Sequence, residues 1–134
     1  MKLITRDTDY AIRALVYMAK HSNQDHTVKQ LAEILDIPQP FLRKILQQLA
    51  NGNILDSTRG KGGGFSLARP AEDIYLLDIM DIFQGKFELL QCIFNKDICG
   101  NIKDCLLRKK IMSIKNYVQK QLENITIKQL IEEK

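Results

Sequence analysis

The stretch Thr27–Ala68, TVKQLAEILDIPQPFLRKILQQLANGNILDSTRGKGGGFSLA, decides the fold. Thr27-Val28-Lys29-Gln30 is a capping box, in which a Thr hydroxyl caps a free helix amide and Gln three residues on reaches back. Leu31, Ala32, Ile34 and Leu35 then supply an apolar helical face. Asp36-Ile37-Pro38-Gln39-Pro40 interrupts it, because residues before proline are pushed out of the helical region. A second helix follows, with Phe41, Leu42, Ile45, Leu46 and Leu49 on one side and Arg43, Lys44, Gln47 and Gln48 on the other. Asn51-Gly52-Asn53 stops it, with Gly expected as the left-handed cap. Two short helices around a tight turn, the second carrying an exposed basic and amide face, are the means by which a helix-turn-helix reads DNA.

Working outward, Ile54-Leu55-Asp56-Ser57 and Phe65-Ser66-Leu67-Ala68 read as paired strands joined by Arg59-Gly60-Lys61-Gly62-Gly63-Gly64. The glycines permit positive φ and close backbone approach to a partner, while Arg59, Lys61 and Arg69 bring cations. A nucleotide phosphate loop is disfavoured: no GK[ST] closes the run, and a strand follows where a helix would begin. A DNA-contacting wing is favoured over a merely solvated hairpin.

On the N-terminal side, Thr8 and Asp9 are expected to open a helix with Ala11, Ala14, Leu15, Met18 and Ala19 buried, ending near His21. An acid in the first turn suits the positive end of the helix dipole, which is reason enough for Asp9. His21 and His26, in a polar linker, read as surface residues. Beyond the hairpin, Pro70–Asp73 is a polar turn. A further helix starts near Leu76, with Leu76, Ile79, Met80 and Phe83 inward and Gly85 as its stop.

Residues 88–105 lose clean periodicity and carry all three cysteines, as Cys92-x6-Cys99-x5-Cys105. Thiolates suit soft sites such as iron–sulfur clusters or zinc. The spacing lacks the paired CxxC of a zinc ribbon, and free cysteines are also often simply buried. From Leu106 the helical period returns: Leu107, Ile111, Ile114, Val118, Leu122 and Ile125 form a seam close to a coiled-coil stripe. A narrow apolar stripe on a small domain needs a second surface, its own domain or another subunit. Asn124-Ile125 breaks this helix, and Thr126-Ile127-Lys128-Gln129 caps a last short one.

The 134 residues suit one domain, or a domain plus one long helix. The net charge of +4 and pI near 9.0 modestly favour a polyanionic partner. No apolar signal segment or membrane-length run occurs. An odd cysteine number without such a segment argues for a reducing cytoplasm and against a disulfide framework. Catalysis is disfavoured, since CxxC, a histidine near a cysteine and a nucleotide motif are all missing.

Ile37-Pro38-Gln39-Pro40-Phe41-Leu42-Arg43-Lys44, Leu49, Arg59-Gly60-Lys61-Gly62-Gly63-Gly64-Phe65 and Leu67-Ala68 resemble the Rrf family of winged-helix transcription regulators, with IscR-, NsrR- and CymR-like members. The resemblance spans nearly the whole chain. It implies a mainly α fold with a small β-hairpin wing: a winged helix-turn-helix DNA-binding domain over 1–84, a cysteine-bearing cluster loop over 85–105, and a long C-terminal dimerisation helix with a short terminal helix over 106–134. It also implies an iron–sulfur cluster held by Cys92, Cys99 and Cys105. The histidine that serves as fourth ligand in IscR-like 2Fe-2S members is here Arg108. Alignment with NsrR-like 4Fe-4S members points instead to Asp9, donated by the partner subunit, so 4Fe-4S is favoured and 2Fe-2S remains open. Asp97 and Asp104 are local rivals.

A homodimer is implied, with the long helix pairing and a near-palindromic double-stranded DNA operator as partner. Gln39 and Arg43 are expected at base edges with Lys44 and Gln48 in support. Arg59 and Lys61 are expected at the minor groove, and Lys29 and Arg6 at phosphate. The favoured function is a repressor whose operator affinity follows its cluster, responding to nitric oxide, redox or iron status. The alternative is a cluster-free, CymR-like regulator controlled by a partner protein.

Overall fold

The computed structural model describes residues 3–58, 63–88 and 106–132, the side chain of Glu132 excepted. The element order is α1 (Arg6–Lys20), α2 (Val28–Leu35), α3 (Gln39–Asn51), β1 (Leu55–Ser57), β2 (Phe65–Leu67), a 3₁₀ turn at Ala71–Asp73, α4 (Leu76–Gln84), α5 (Leu106–Glu123) and α6 (Ile127–Glu132). The fold is therefore mainly α with one antiparallel hairpin, in register Leu55↔Leu67, Asp56↔Ser66 and Ser57↔Phe65. Among the described residues, no helix is long and apolar enough to cross a membrane.

The capping box of α2 forms as the sequence requires: Gln30 N–H donates to Thr27 Oγ1 at 3.1 Å, and Thr27 N–H to Gln30 Oε1 at 3.5 Å. Asp36 ends α2 in the left-handed region (φ 56°), and Ile37 sinks into the core at the turn. Pro38 precedes α3, with Pro40 inside its first turn, where a missing N–H costs nothing.

The start of α1 lies two residues earlier than expected. Thr5 caps it by accepting from Thr8 N–H at 3.4 Å, and Asp7 and Asp9 occupy the first turn. The α3 stop also differs. Gly52 has an ordinary φ of −86°, and Asn53 takes the left-handed conformation at φ 63°. A Cβ at Gly52 would lie 2.6 Å from Ile82 Cδ1 on α4, the free end of a half-buried side chain that can turn aside.

A central core joins Ala11, Ala14, Leu15 and Met18 of α1 to Leu31 of α2, to Leu42, Ile45, Leu46 and Leu49 of α3, and to Ile54 and Leu55 at the hairpin. Ile74, Ile79 and Ile127 close it from the C-terminal side. Truncating one such leucine to alanine costs about 2–5 kcal/mol. Two expected core residues stay out: Ile34 and Phe41 are 53% and 50% exposed. At 100° per residue, each sits about 90–110° from the centre of its helix's buried face. Phe83 is half-buried against the core, and Ala19 likewise.

His26 corrects the sequence reading more sharply. It is 3% exposed, not a surface residue. Its backbone pairs with Phe65 in both directions, and its Nε2 bonds the His21 carbonyl at 3.0 Å. The Tyr17 ring stacks at a tilt on His21 and meets His26 edge-on. Backbone pairing with the hairpin is what carries a polar linker residue inside.

The C-terminal elements share the same body. Leu122 of α5 packs with Leu76 and Met80 of α4, flanked by Val118 and Ile125. Leu76 N–H donates to Ile125 O, and Ile127 N–H to Ile74 O. A second capping box, Thr126 with Gln129, opens α6 on the α1 surface. The opposite end of α5 is bare, with Leu106, Leu107, Ile114 and Tyr117 all more than half exposed.

Candidate nucleic-acid interface

The core burial of Leu42, Ile45, Leu46 and Leu49 fixes which face α3 turns outward. Arg43, Lys44 and Gln47 are exposed there, and Gln39 and Gln48 half-exposed. Lys29, on the first turn of α2, is exposed as well. Among the described residues, no side chain of Lys29, Gln39, Arg43, Lys44 or Gln48 has a hydrogen bond or ion pair. These are cations and amides held on a rigid rod with their donors free. Such a face suits phosphate oxygens and base edges.

One side-chain contact from α1 reaches the start of that rod. Arg6 lies over the Phe41 ring at 5.3 Å, so the half-exposed ring that helical periodicity assigned to the core is capped by a guanidinium. Such a contact contributes about 0.5–1 kcal/mol at an exposed site. Arg6 also approaches Asp7 at 3.8 Å, which places its charge beside the start of α3.

The hairpin is held against the same side. His26 N–H donates to Phe65 O at 2.9 Å, Phe65 N–H to His26 O at 2.7 Å, and Thr58 N–H to Gly64 O at 2.8 Å. Gly64 is required by this contact, since a Cβ would stand 2.5 Å from the His26 carbonyl oxygen. Arg69 braces the base of the hairpin through Asn53 O and Asp73 O and approaches Asp78 at 3.9 Å. The tip, with Arg59 and Lys61, lies outside the described residues.

A helix-turn-helix followed by a hairpin beside its second helix is a winged helix-turn-helix. The family model described as Rrf2, iron-dependent transcriptional regulator, matches residues 4–133. The chain belongs to the Rrf2 family. Members are transcriptional regulators, and this Rrf2 chain is a regulator and not an enzyme. It is 33% identical over 127 residues to the HTH-type transcriptional regulator NsrR of Oceanobacillus iheyensis, covering 92% of this chain and 86% of that one. Its fold is similar to that of CymR, the global cysteine regulator of B. subtilis, with TM-score 0.76 and 21% identity over 98% of this chain and 97% of that one. T. potens IscR is similar with TM-score 0.76 and 22% identity, over 98% of this chain and 87% of that one.

The expected metal ligands divide. Cys92, Cys99 and Cys105 lie outside the described residues, as do Asp97 and Asp104. Asp9 is half-exposed on the first turn of α1, with its carboxylate paired to Arg13 at 3.0 Å. Among the described residues, no group of three His, Cys, Asp or Glu side chains is arranged to hold a metal ion. The flanks of the cysteine segment both meet α5: Glu88 approaches Lys115 Nζ at 3.7 Å, and Leu106 begins the helix. Those anchor points are about 14 Å apart along the helix axis.

Sequence reasoning missed Gln84. The last residue of α4, it accepts from Thr5 N–H (3.0 Å) and Thr8 Oγ1 (2.8 Å) and donates to Leu3 O (2.9 Å). It fastens the N-terminal segment, next to Asp9, to the helix that leads into the cysteine segment. Periodicity carries no signal for a contact between residues so distant in sequence.

Proposed function

We propose that two copies of this chain bind a near-palindromic operator, each inserting α3 into the major groove and its hairpin at the adjacent minor groove. The observation that carries this reading is the outward face of α3, with Arg43 and Lys44 free of partners among the described residues beside an anchored hairpin. Gln39 and Arg43 read bases, Lys44 and Gln48 support them, and Lys29 with Arg6 positions phosphate. Arg59 and Lys61 address the minor groove. Pairing of the two copies uses the bare end of α5, because Leu107 and Ile114 are 66% and 53% exposed on one stripe. The protein works in the cytoplasm.

Control belongs to an iron–sulfur cluster held by Cys92, Cys99 and Cys105, with Asp9 from the partner subunit as fourth ligand. The donor set fits: three thiolates suit iron–sulfur chemistry, and Asp9 is accessible on the first turn of α1. Bound there, a cluster supplies a centre reactive toward nitric oxide, oxygen or iron scarcity. Its effect on DNA counts as regulation only through a difference in affinity between loaded and empty states. The chain's part is to offer Asp9 once the Arg13 pair is released, while Glu88, just ahead of the cysteine segment, is tied to Lys115 of α5. The expected direction is repression by the loaded form and release upon cluster damage.

A second reading is a cluster-free regulator that answers to a partner protein. The fold is as similar to CymR as to IscR, and position 108 carries an arginine where IscR-like members place a histidine ligand. Iron and acid-labile sulfide analysis of anaerobically purified protein, paired with a DNA shift assay on both forms, separates the two. Brown protein whose DNA affinity changes when the cluster is removed supports cluster control. Colourless protein that retains DNA binding supports the second reading.

A further inference from the structure

A cleft of about 500 Å³ opens between the C-terminal half of α3 and the inner face of the hairpin. Gln47 and Asn51 line it from the helix, Ser57 and Thr58 from the end of β1 and the residue after it, and Val28 and Phe65 supply its apolar part. The four polar side chains are exposed and have no hydrogen-bond partner among the described residues. Among the described residues, no carboxylate lines the cleft. Along α3, Lys44, Gln47 and Asn51 fall at i, i+3 and i+7, so one face carries a cation and then amides into the cleft.

We propose that this cleft seats one sugar–phosphate strand of the duplex, with Gln47, Asn51, Ser57 and Thr58 donating to phosphate oxygens. The inference rests on the DNA-binding reading above and deepens it. A helix in the major groove and a hairpin at the neighbouring minor groove must have the intervening backbone strand between them. Among the described residues, the polar side chains of the cleft are neutral amides and hydroxyls, which bond phosphate without repelling it, and a contact to phosphate carries no sequence information. The groove on the other face of the hairpin, about 670 Å³, is a poorer seat. It includes Glu72, and its Arg69 is already engaged with Asn53 O, Asp73 O and Asp78.

Neutral donors leave a distinct signature: they add affinity without releasing counterions, so they leave the salt dependence unchanged. The test compares wild type, Asn51→Ala, Thr58→Val and Ser57→Asp. The probes are a duplex recovered from a random pool by selection on the wild-type protein and an unselected duplex of equal length. Asn51→Ala and Thr58→Val are each expected to lose about three- to tenfold on both duplexes, with the slope of log K against log salt unaltered. Ser57→Asp, which sets a carboxylate in the cleft, is expected to lose more than either. Replacing one backbone phosphate by methylphosphonate should weaken wild type while leaving Asn51→Ala little further affected at that position. Thermal melts of all variants should match wild type, since every substituted side chain is exposed.

Variants that bind both duplexes as wild type does, while Arg43→Ala loses only the selected one, overturn the inference and leave the DNA reading standing. A loss confined to the selected duplex also overturns it, by making these residues base readers. Wild type that binds neither duplex overturns both.

Discussion

Gly64→Ala isolates the anchoring of the hairpin from every other feature of the fold. The new Cβ would stand 2.5 Å from the His26 carbonyl oxygen and 2.8 Å from its carbon, about an ångström short of ordinary contact. Both atoms are backbone, so no side-chain rotation relieves the clash. Gly64 itself has no left-handed φ, so the destabilising part of the effect is steric, set against a smaller gain of about 0.4–1 kcal/mol from a less flexible unfolded chain. Moving the strand away stretches the two His26–Phe65 backbone bonds of 2.9 and 2.7 Å. Losing these costs about 1 kcal/mol each, and accepting the clash costs about 1–3 kcal/mol. Whichever route the strand takes, the expected destabilisation is about 1–3 kcal/mol, a fall in Tm of roughly 5–10 °C for a chain of this size. Urea unfolding followed by circular dichroism measures it, with Ser66→Ala in the same strand as a control expected within about 0.5 kcal/mol of wild type. A Gly64→Ala variant as stable as that control would refute the close-approach reasoning.

Other consequences are equally concrete. Arg43→Ala should cost about 1–3 kcal/mol on selected DNA and relax preference at one base position, whereas Lys61→Ala should weaken all sequences and lower the salt slope by about 1; binding isotherms on both DNA classes distinguish them. Asp9→Ala removes an exposed pair with Arg13 worth about 0.3–0.5 kcal/mol, so Tm should hardly move while cluster absorbance and oxygen lability change; an unaltered cluster would strike Asp9 from the ligand set. Leu107→Lys with Ile114→Lys should turn a dimer into a monomer by analytical ultracentrifugation without unfolding the domain, both side chains being exposed within one chain. Gln84→Ala forfeits three hydrogen bonds and should lower stability by about 1–3 kcal/mol in denaturant titration.

Local rules made the helix-turn-helix legible. A capping box, a proline-bearing turn and two apolar faces each announce themselves within a few residues, and Thr27, Gln30, Leu31, Leu42 and Leu49 act as those rules require. Contacts across the fold were not legible. Ile34 and Phe41 are apolar at helical spacing, yet their angular offset leaves them outside, and Phe41 gains a guanidinium partner from α1. His26 looked like linker because its burial depends on pairing with Phe65, far along the chain. One signal was available: His26 stands immediately before the N-cap, where a staple residue packs inward. Glycine at position 52 suggests a left-handed cap, yet Asn53, the next residue, is the one that takes the positive φ. The α5 stripe divides as no periodicity could say, with Val118 and Leu122 packed on the chain's own α4 and Leu107 and Ile114 bare.

The most direct test of DNA reading by α3 and the hairpin is the ratio of dissociation constants for selected and unselected duplexes of equal length. It is measured by fluorescence anisotropy at one fixed salt concentration, with protein in iron-loaded and iron-free forms. At least one form is expected to prefer the selected duplex by about 10³-fold or more. Equal affinity for both duplexes in both forms would contradict the account.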